Sequence, residues 1–203
     1  MVESLFRMLC DCLAVAADAS GPRIADQYAN VVLYNQRGQR LKFCDDLVRG
    51  RAIVVNTMFT RCRGTCSGTM AVLQSLRKTL SPVFGKQLSF VSMTLEPEHD
   101  DVDVLQQYAS LYDADEWSDA LCDWHLVTGS AADIERLRYS LDFYDLNPAV
   151  DRDITQHDAL LRFGNDVTDR WAVLPAGLRE PLLVEAIRRI AGVGFEQRYG
   201  LKS

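Results

Sequence analysis

The amino-acid sequence predicts an α/β protein in which a central mixed sheet is flanked by helices and preceded by an N-terminal β-hairpin. Strand-like and helix-like runs alternate through the middle of the chain, which is the pattern of βαβ units with parallel strands. One run is so rich in β-branched residues that it indicates a strand buried on both faces, and two short runs near the C-terminus indicate an antiparallel hairpin. With 203 residues, of which 48% are apolar, the chain can bury one ordinary hydrophobic core.

The first half of the chain predicts a hairpin, a buried strand and a helix, in that order. Residues 30–44 alternate in polarity about the turn sequence Asn35-Gln36-Arg37-Gly38, which predicts the N-terminal β-hairpin. Residues 52–57 form the β-branched run and predict a central parallel strand. Residues 69–80 repeat apolar side chains at helical spacing, and we expect Ser81-Pro82 to end that helix.

The second half continues the alternation and closes it with a hairpin and a helix. The predicted elements are, in order, strand 88–95, helix 102–112, strand 123–127, helix 131–141, the strand pair 157–163 and 167–174 around the turn Gly164-Asn165-Asp166, and helix 178–190. The order βαβ followed by ββα is that of a thioredoxin core, so we predict a thioredoxin-like fold.

The net charge excludes two classes of partner, whereas the hydropathy of the N-terminus does not decide what that segment does. The net charge is −6 at pH 7 and no run of Lys or Arg occurs, so neither nucleic acid nor an anionic membrane is an expected partner. Residues 5–17 are apolar but interrupted by Asp11, and a poor signal peptide and a frayed amphipathic helix fit them equally well. No run approaches the roughly 18 apolar residues that span a bilayer. We therefore expect no membrane span in this chain, a tail over residues 1–25 that could be a targeting remnant, and one domain over residues 26–203.

The strongest chemical signal is a pair of cysteines, Cys62 and Cys66, placed where the buried strand ends and a helix begins. Free N–H groups and the positive end of the helix dipole favour thiolate over thiol there, so we expect a lowered pKa for both. A flexible loop with Gly64 as its hinge would let the two sulfurs either form a disulfide or separate around a soft ion such as Cu(I) or Zn(II). The alternative, that the two cysteines are coincidental core residues, is disfavoured by this placement.

The remaining candidate residues carry weaker signals. Six cysteines are too few and too unevenly spaced for a disulfide framework. Cys10 and Cys12 form a Cys-x-Cys that could hold copper or receive a disulfide, although an incidental role is favoured. Cys44 and Cys122 are expected to be small buried residues, and His125 is expected to be structural. We expect a solvated acidic loop, in preference to a cation site, from four neighbouring carboxylates: Glu96, Glu98, Asp100 and Asp101.

Several stretches of the sequence resemble the SCO/SenC family, in order along most of the chain. The stretch from Asn56 to Cys66 resembles the family's strand that ends in Phe-Thr and leads into Cys-x-x-x-Cys, and Glu96-Pro97-Glu98-His99-Asp100 resembles the family's Asp-Pro-x-x-Asp. Further matches are Phe90-Val91-Ser92, Tyr108-Ala109, Trp124 with Leu126, Thr128 and Gly129, and His157 ahead of a strand and Gly164.

This resemblance implies a copper metallochaperone or thiol-disulfide protein that assists assembly of the binuclear copper site of cytochrome c oxidase. It implies that Cys62, Cys66 and His157 hold copper as Cu(I) or Cu(II), and that Cys62 and Cys66 are the redox-active pair. It also implies that the partner is the copper-bearing oxidase subunit or another copper chaperone, and that the protein works in the periplasm or at the outer face of the inner membrane. We expect a monomer.

Three residues depart from the pattern of that family. Arg63 and Ser67 follow the two cysteines where the family often or usually has proline, and Glu96 replaces the usual aspartate ahead of Pro97. Ser67 could still serve the helix start by capping, and Glu96 keeps an acidic group near the site. The sequence therefore indicates the fold more firmly than it indicates the copper affinity.

Two other functions stay open at the level of sequence. A thiol-disulfide oxidoreductase or peroxidase without metal would use Cys62 as nucleophile and Cys66 as resolving thiol, so enzymatic activity is undecided, although the chaperone is favoured. Redox enzymes of this fold usually have a cis-proline opposite the cysteines, whereas this chain has His157 in the corresponding segment. A structural zinc site would need a fourth protein ligand, which the sequence does not offer near the cysteines.

Overall fold

Seven strands form one mixed sheet in the computed structural model, which describes residues 21–64, 66–157 and 159–199. The strands are β1 (Val32–Asn35), β2 (Arg40–Lys42), β3 (Ala52–Met58), β4 (Leu88–Thr94), β5 (Asp123–Gly129), β6 (Leu160–Asn165) and β7 (Arg170–Pro175). They lie in the order β2-β1-β5-β4-β3-β6-β7. β3, β4 and β5 run parallel to one another, whereas β1 pairs antiparallel with β5 and β6 pairs antiparallel with β3. The sheet confirms the predicted fold class, and the antiparallel pair β1–β2 confirms the N-terminal hairpin.

Helices cover both faces of this sheet. Within the described residues they are α1 (Cys66–Phe84), α2 (Val102–Ser110), α3 (Ala131–Ser140), α4 (Pro148–Asp151), α5 (Glu180–Ala191) and α6 (Phe195–Tyr199). Shorter helical turns lie at Ile24–Gln27, Phe43–Val48, Gly85–Gln87 and Ile154–Gln156.

The hydrophobic core lies on both sides of the sheet because its central strands are buried on both faces. Along β3, Val54 belongs to the apolar cluster that includes α1 and α5, whereas Ile53 and Val55 belong to the cluster that includes α3 and the Phe43–Val48 turn. Burying one such aliphatic side chain contributes about 1.5–3 kcal/mol to the free energy of unfolding. This double burial is the reason that the strand lacks the alternation of a half-exposed one.

Helix α1 continues through Ser81-Pro82, where the sequence predicts its end. Pro82 has no N–H, so the carbonyl of Lys78 loses its helical partner. Both residues are exposed, so water can satisfy that carbonyl, while Leu80 and Phe84 continue the buried stripe of the helix. Burial of this last turn therefore outweighs the local preference of proline.

The C-terminal hairpin is present, but its turn lies later than predicted. Gly164 pairs with Trp171 across β6 and β7, so the turn comprises residues 166–169. A Cβ atom on Gly164 would lie 2.4 Å from the Trp171 ring. Glycine is therefore needed here to leave room for the ring, and it is not part of the turn. β6 also begins at Leu160, so His157 lies in the loop before it and not on the strand.

The N-terminal end of the described chain packs onto the domain through the Ile24–Gln27 turn. The Ile24 N–H donates to Oδ1 of Asp169 at 3.0 Å, and Ala25 is buried. The division into a tail over residues 1–25 and a domain over residues 26–203 stays a prediction.

A buried carboxylate joins the loop after β3 to the end of β4. Asp100 is fully buried and accepts hydrogen bonds from the Thr60 N–H at 3.0 Å, the Thr60 hydroxyl at 2.5 Å and the Thr94 hydroxyl at 2.5 Å. The expectation of a solvated acidic loop is therefore wrong for Asp100, because these three donors replace the water that a charged carboxylate needs. Thr60 lies two residues before Cys62, so this cluster positions the cysteine loop.

We expect Asp100→Ala to lower the free energy of unfolding by about 3 kcal/mol, since it leaves a buried N–H and two hydroxyls without their acceptor. Asp100→Asn should cost less, because the Thr60 hydroxyl can reverse and accept from the new amide. Urea unfolding measures both values. The control is Glu98→Ala, which truncates an exposed carboxylate in the same loop. An Asp100→Ala protein within about 0.5 kcal/mol of the parent would contradict this role.

Candidate functional site

The loop between β3 and α1 carries Cys62 and ends at Cys66, the first residue of α1. The Cys62 N–H donates to the Phe59 carbonyl at 3.2 Å, and the Gly64 N–H donates to Sγ of Cys62 at 3.4 Å. Cys62 is half-buried, whereas Cys66 is buried, and neither of the two is in a disulfide. The pair therefore has one sulfur accessible to a partner and one shielded by the core.

Burial raises the pKa of the Cys66 thiol to about 12, with a hydrogen bond to the Cys62 side chain as the second cause. A hydrogen bond with the Phe59 backbone acts in the opposite direction but is the smaller effect. The predicted lowering of this pKa is therefore wrong for Cys66, because desolvation of the thiolate outweighs the favourable N-terminus of α1. At neutral pH the Cys66 thiol holds its proton until a metal or an exchange reaction displaces it.

His157 lies opposite Cys66, between the Ile154–Gln156 turn and β6. Its Nδ1 is 2.7 Å from the carbonyl oxygen of Ile154, and its Nε2 is 3.5 Å from Sγ of Cys66. A carbonyl only accepts, so Nδ1 donates to it, and in the neutral tautomer that carries this proton Nε2 presents its lone pair to the sulfur. Metal-binding histidines are commonly oriented by such a bond from the other ring nitrogen.

A helix cap in its own segment and a packed aromatic ring hold His157 in this orientation. Asp153 accepts a hydrogen bond from the Thr155 N–H at 3.0 Å and so caps the turn that supplies the Ile154 carbonyl. The Phe59 ring packs edge-on against the imidazole with ring centroids 5.6 Å apart. The ring is thus oriented from both its own segment and the cysteine loop.

The fold brings Cys66 and His157 together across 91 positions of sequence, and Cys62 joins them through its hydrogen bond with Cys66. In the described parts of the chain no three His, Cys, Asp or Glu side chains are already spaced as a metal site. The donor types nevertheless fit a soft ion, since they are two sulfurs and an imidazole nitrogen with a free lone pair. Cys62 lies in the loop, so it can approach His157 without a change in β3 or α1.

Charged and phenolic side chains border this group of three. Arg61, next to Cys62, pairs with Glu96, so the acidic group expected near the site is present but neutralised. Burial and a hydrogen bond with Tyr112 raise the pKa of Tyr108, which lies near enough to the two thiols to be influenced by charge on them. The sequence marks Tyr108 only as part of a motif, because a contact with the thiols depends on how α2 packs.

The other residues singled out in the sequence lie away from this group or outside the described residues. Cys44 and Cys122 are buried as expected. His125 is buried too, with its Nδ1 3.3 Å from Nδ2 of Asn35, and burial lowers its pKa to about 4. Ser67 lies inside α1, which begins one residue earlier, so it does not cap the helix start. Cys10 and Cys12 fall outside the described residues.

Most of the chain is similar to proteins of known family and structure. The SCO1/SenC family model matches residues 20–175, whereas no curated protein matches the chain. The SCO1/SenC family lipoprotein from Bacillus anthracis has a similar structure, with 18% identity, a TM-score of 0.63 and coverage of 81% of this chain and 94% of that one. Yeast Sco1 with copper bound gives 17% identity, a TM-score of 0.59 and coverage of 79% and 89%.

A third similar structure is BsSco, described as a member of the Sco family of cytochrome c oxidase assembly proteins in which a disulfide switch was identified. It shares 18% identity and a TM-score of 0.61, over 81% of this chain and 92% of that one. These likenesses confirm the predicted thioredoxin-like fold as the Sco fold. Because the family model covers more than half of the sequence, this chain belongs to the SCO1/SenC family.

Proposed function

We propose that this protein binds copper through Cys62, Cys66 and His157 and assists assembly of the binuclear copper site of cytochrome c oxidase. Membership of the SCO1/SenC family supports this, as do a relative crystallised with copper bound and another described as an oxidase assembly protein. The observation that carries the proposal is the Nε2 lone pair of His157 facing Sγ of Cys66 at 3.5 Å.

Copper is the cargo, and the three side chains divide the work of holding it. Two thiolates and one imidazole suit three-coordinate Cu(I), and an additional ligand would allow Cu(II). Both thiol protons leave when the ion binds. Cys66 is shielded by the core and His157 is oriented by its hydrogen bond, so these two residues form the fixed part of the site. Cys62 is the more accessible ligand, and it is the one that a copper acceptor reaches first.

The same two sulfurs support a redox role that needs no metal. The Cys62 thiolate attacks one sulfur of a partner's disulfide and forms a mixed disulfide, while the partner's other sulfur leaves as a thiolate and takes up a proton. Cys66 then loses its proton and attacks Cys62, which releases the second partner thiol and leaves a Cys62–Cys66 disulfide. Two electrons pass to the partner. The unequal burial of the two thiols favours this order of attack. A metal-free thiol-disulfide oxidoreductase is therefore the second candidate function.

The expected setting of this chemistry follows from the family. We place the protein outside the cytoplasm, in the periplasm or at the outer face of the inner membrane, with the copper-bearing oxidase subunit or another copper chaperone as its partner. One relative is named as a lipoprotein, which supports a position at a membrane surface. No helix in the described ranges is long and apolar enough to cross a bilayer. The negative net charge argues against nucleic acid.

The reduced protein should bind a single copper ion, and Cys62→Ser or Cys66→Ser should abolish that binding. One thiolate with one imidazole is a poor site for a soft ion. Anaerobic titration with Cu(I) against a competing chelator measures the stoichiometry. Cys44→Ser is the matched control, since its hydroxyl can keep the bond that Cys44 makes to the Tyr28 carbonyl. Unchanged stoichiometry in either site variant would refute the ligand set.

Mild oxidation should produce the Cys62–Cys66 disulfide as the dominant and readily reversible bridge. Cys44 and Cys122 are both buried, whereas Cys62 is half-buried in a loop, so an oxidant reaches the Cys62–Cys66 pair first. Peptide mapping of the oxidised full chain under non-reducing conditions identifies the bridge. A dominant bridge that contains Cys44 or Cys122 would show that the redox centre lies elsewhere.

We expect His157→Ala to weaken copper binding by about tenfold or more while leaving the fold and the disulfide chemistry intact. His157 is half-buried in a loop, so its truncation should move the melting temperature by less than about 4 °C. The measurements are a chelator competition, a thermal melt and the dithiol redox potential on the same samples, with His99→Ala as control. If copper affinity stays constant and the redox potential shifts, His157 tunes the dithiol and the oxidoreductase gains support.

A further inference from the structure

A cleft of about 540 Å³ includes His157 in its lining. Its walls include Thr57 at the end of β3, Leu95 after β4, and residues of α3 and α4. It therefore lies outside the carboxyl ends of two parallel strands, which is where open α/β sheets bind their ligands. A cleft of this volume accommodates several side chains of a partner.

Buried ionic contacts hold the wall of the cleft in shape. The Arg138 guanidinium donates to both carboxylate oxygens of Asp151, at 2.5 and 2.9 Å, and to the Phe143 carbonyl at 3.0 Å. The side chains of Arg138 and Asp151 are 11% and 7% exposed. The Tyr139 hydroxyl donates to the same Asp151 at 2.7 Å. The cleft is thus preformed, which lowers the entropy lost when a partner binds.

Two tyrosines in the lining of the cleft, and a leucine close to them in sequence, are exposed to solvent. The rings of Tyr139 and Tyr144 stack with centroids 5.2 Å apart, yet these residues are 45% and 41% exposed. Leu146, two positions further along the chain, is 89% exposed. Tyrosine and arginine are enriched at protein interfaces, and an exposed group of this kind indicates a surface that another protein covers.

The charge of the cleft is predominantly acidic. Its lining holds five carboxylates and two guanidinium groups. Arg138 already neutralises Asp151, and Asp142 is paired with Arg162. Asp145 and Asp153 add further negative charge beside the tyrosines, so the complementary occupant carries positive charge.

We propose that this cleft docks an extended segment of the copper-exchanging partner in which a lysine or arginine lies beside an apolar side chain. The apolar side chain packs on Tyr139 and Tyr144, and the basic one faces Asp145. Because His157 belongs to the lining of the cleft, a segment docked there lies next to the candidate copper site and brings the partner's metal ligands or disulfide to it. This inference rests on the proposed function and names the surface through which the partner is recognised.

Binding can be measured with the soluble copper-bearing domain of the oxidase subunit, its copper-binding cysteines replaced by serine, as the probe. Neither copper nor disulfides can then pass between the two proteins, so binding reports docking alone. The full chain carries either Tyr144→Ser, which removes an exposed ring, or Asp145→Asn, which removes a charge but keeps the acceptor for the Asn147 N–H. The controls are Tyr34→Ser, of a tyrosine equally exposed at 42% on β1, and Asp119→Asn, of an exposed aspartate.

We expect Tyr144→Ser to weaken binding of the probe about tenfold. Asp145→Asn should weaken it about threefold and reduce its dependence on salt, while both controls and the copper stoichiometry of every variant stay unchanged. The inference is overturned if the parent protein does not bind the probe, or if the cleft variants bind like their controls. Failure of the proposed function would show separately, as a parent protein that does not retain copper.

Discussion

Asp100 accepts three hydrogen bonds in the interior of the protein, and through them it fixes the loop that carries Cys62 to the end of β4. A carboxylate in such a place is stable only when donors replace its water, and Thr60 and Thr94 supply those donors. The Phe59 ring, which supports the imidazole of His157, precedes the same threonine. The positions of Cys62 and of the ring that supports His157 therefore depend on one buried carboxylate.

Most of the fold could be predicted from the sequence because hydrophobic periodicity records which faces are buried. The strand-helix alternation, the two hairpins and the central buried strand all appear in the structure. The misplaced boundaries share a physical cause. Pro82 and Gly164 read locally as a helix stop and a turn, but Phe84 and Trp171 complete the core at those points, and packing against distant elements outweighed local preference.

The site was predictable in part. Cys62 and Cys66 stand out because their spacing and their position between a strand and a helix are local facts, whereas His157 was identified only by family resemblance. The carbonyl of Ile154 that orients its ring is a backbone group and leaves no trace in the sequence. The thiol chemistry was mispredicted for a related reason: a helix N-terminus is visible in sequence, but the burial of Cys66 that opposes it is decided by the packing of the whole domain.

The distance along the chain between Cys66 and His157 has a consequence for the lifetime of the protein. An unfolded polypeptide does not hold these donors together, so an ion bound by them favours the native state by mass action. Degradation by proteases follows the fraction of molecules that open. If copper is bound there as proposed, a loaded chain would be protected from turnover and an empty one removed sooner, which would link the abundance of the protein to the supply of the metal without any dedicated sensor.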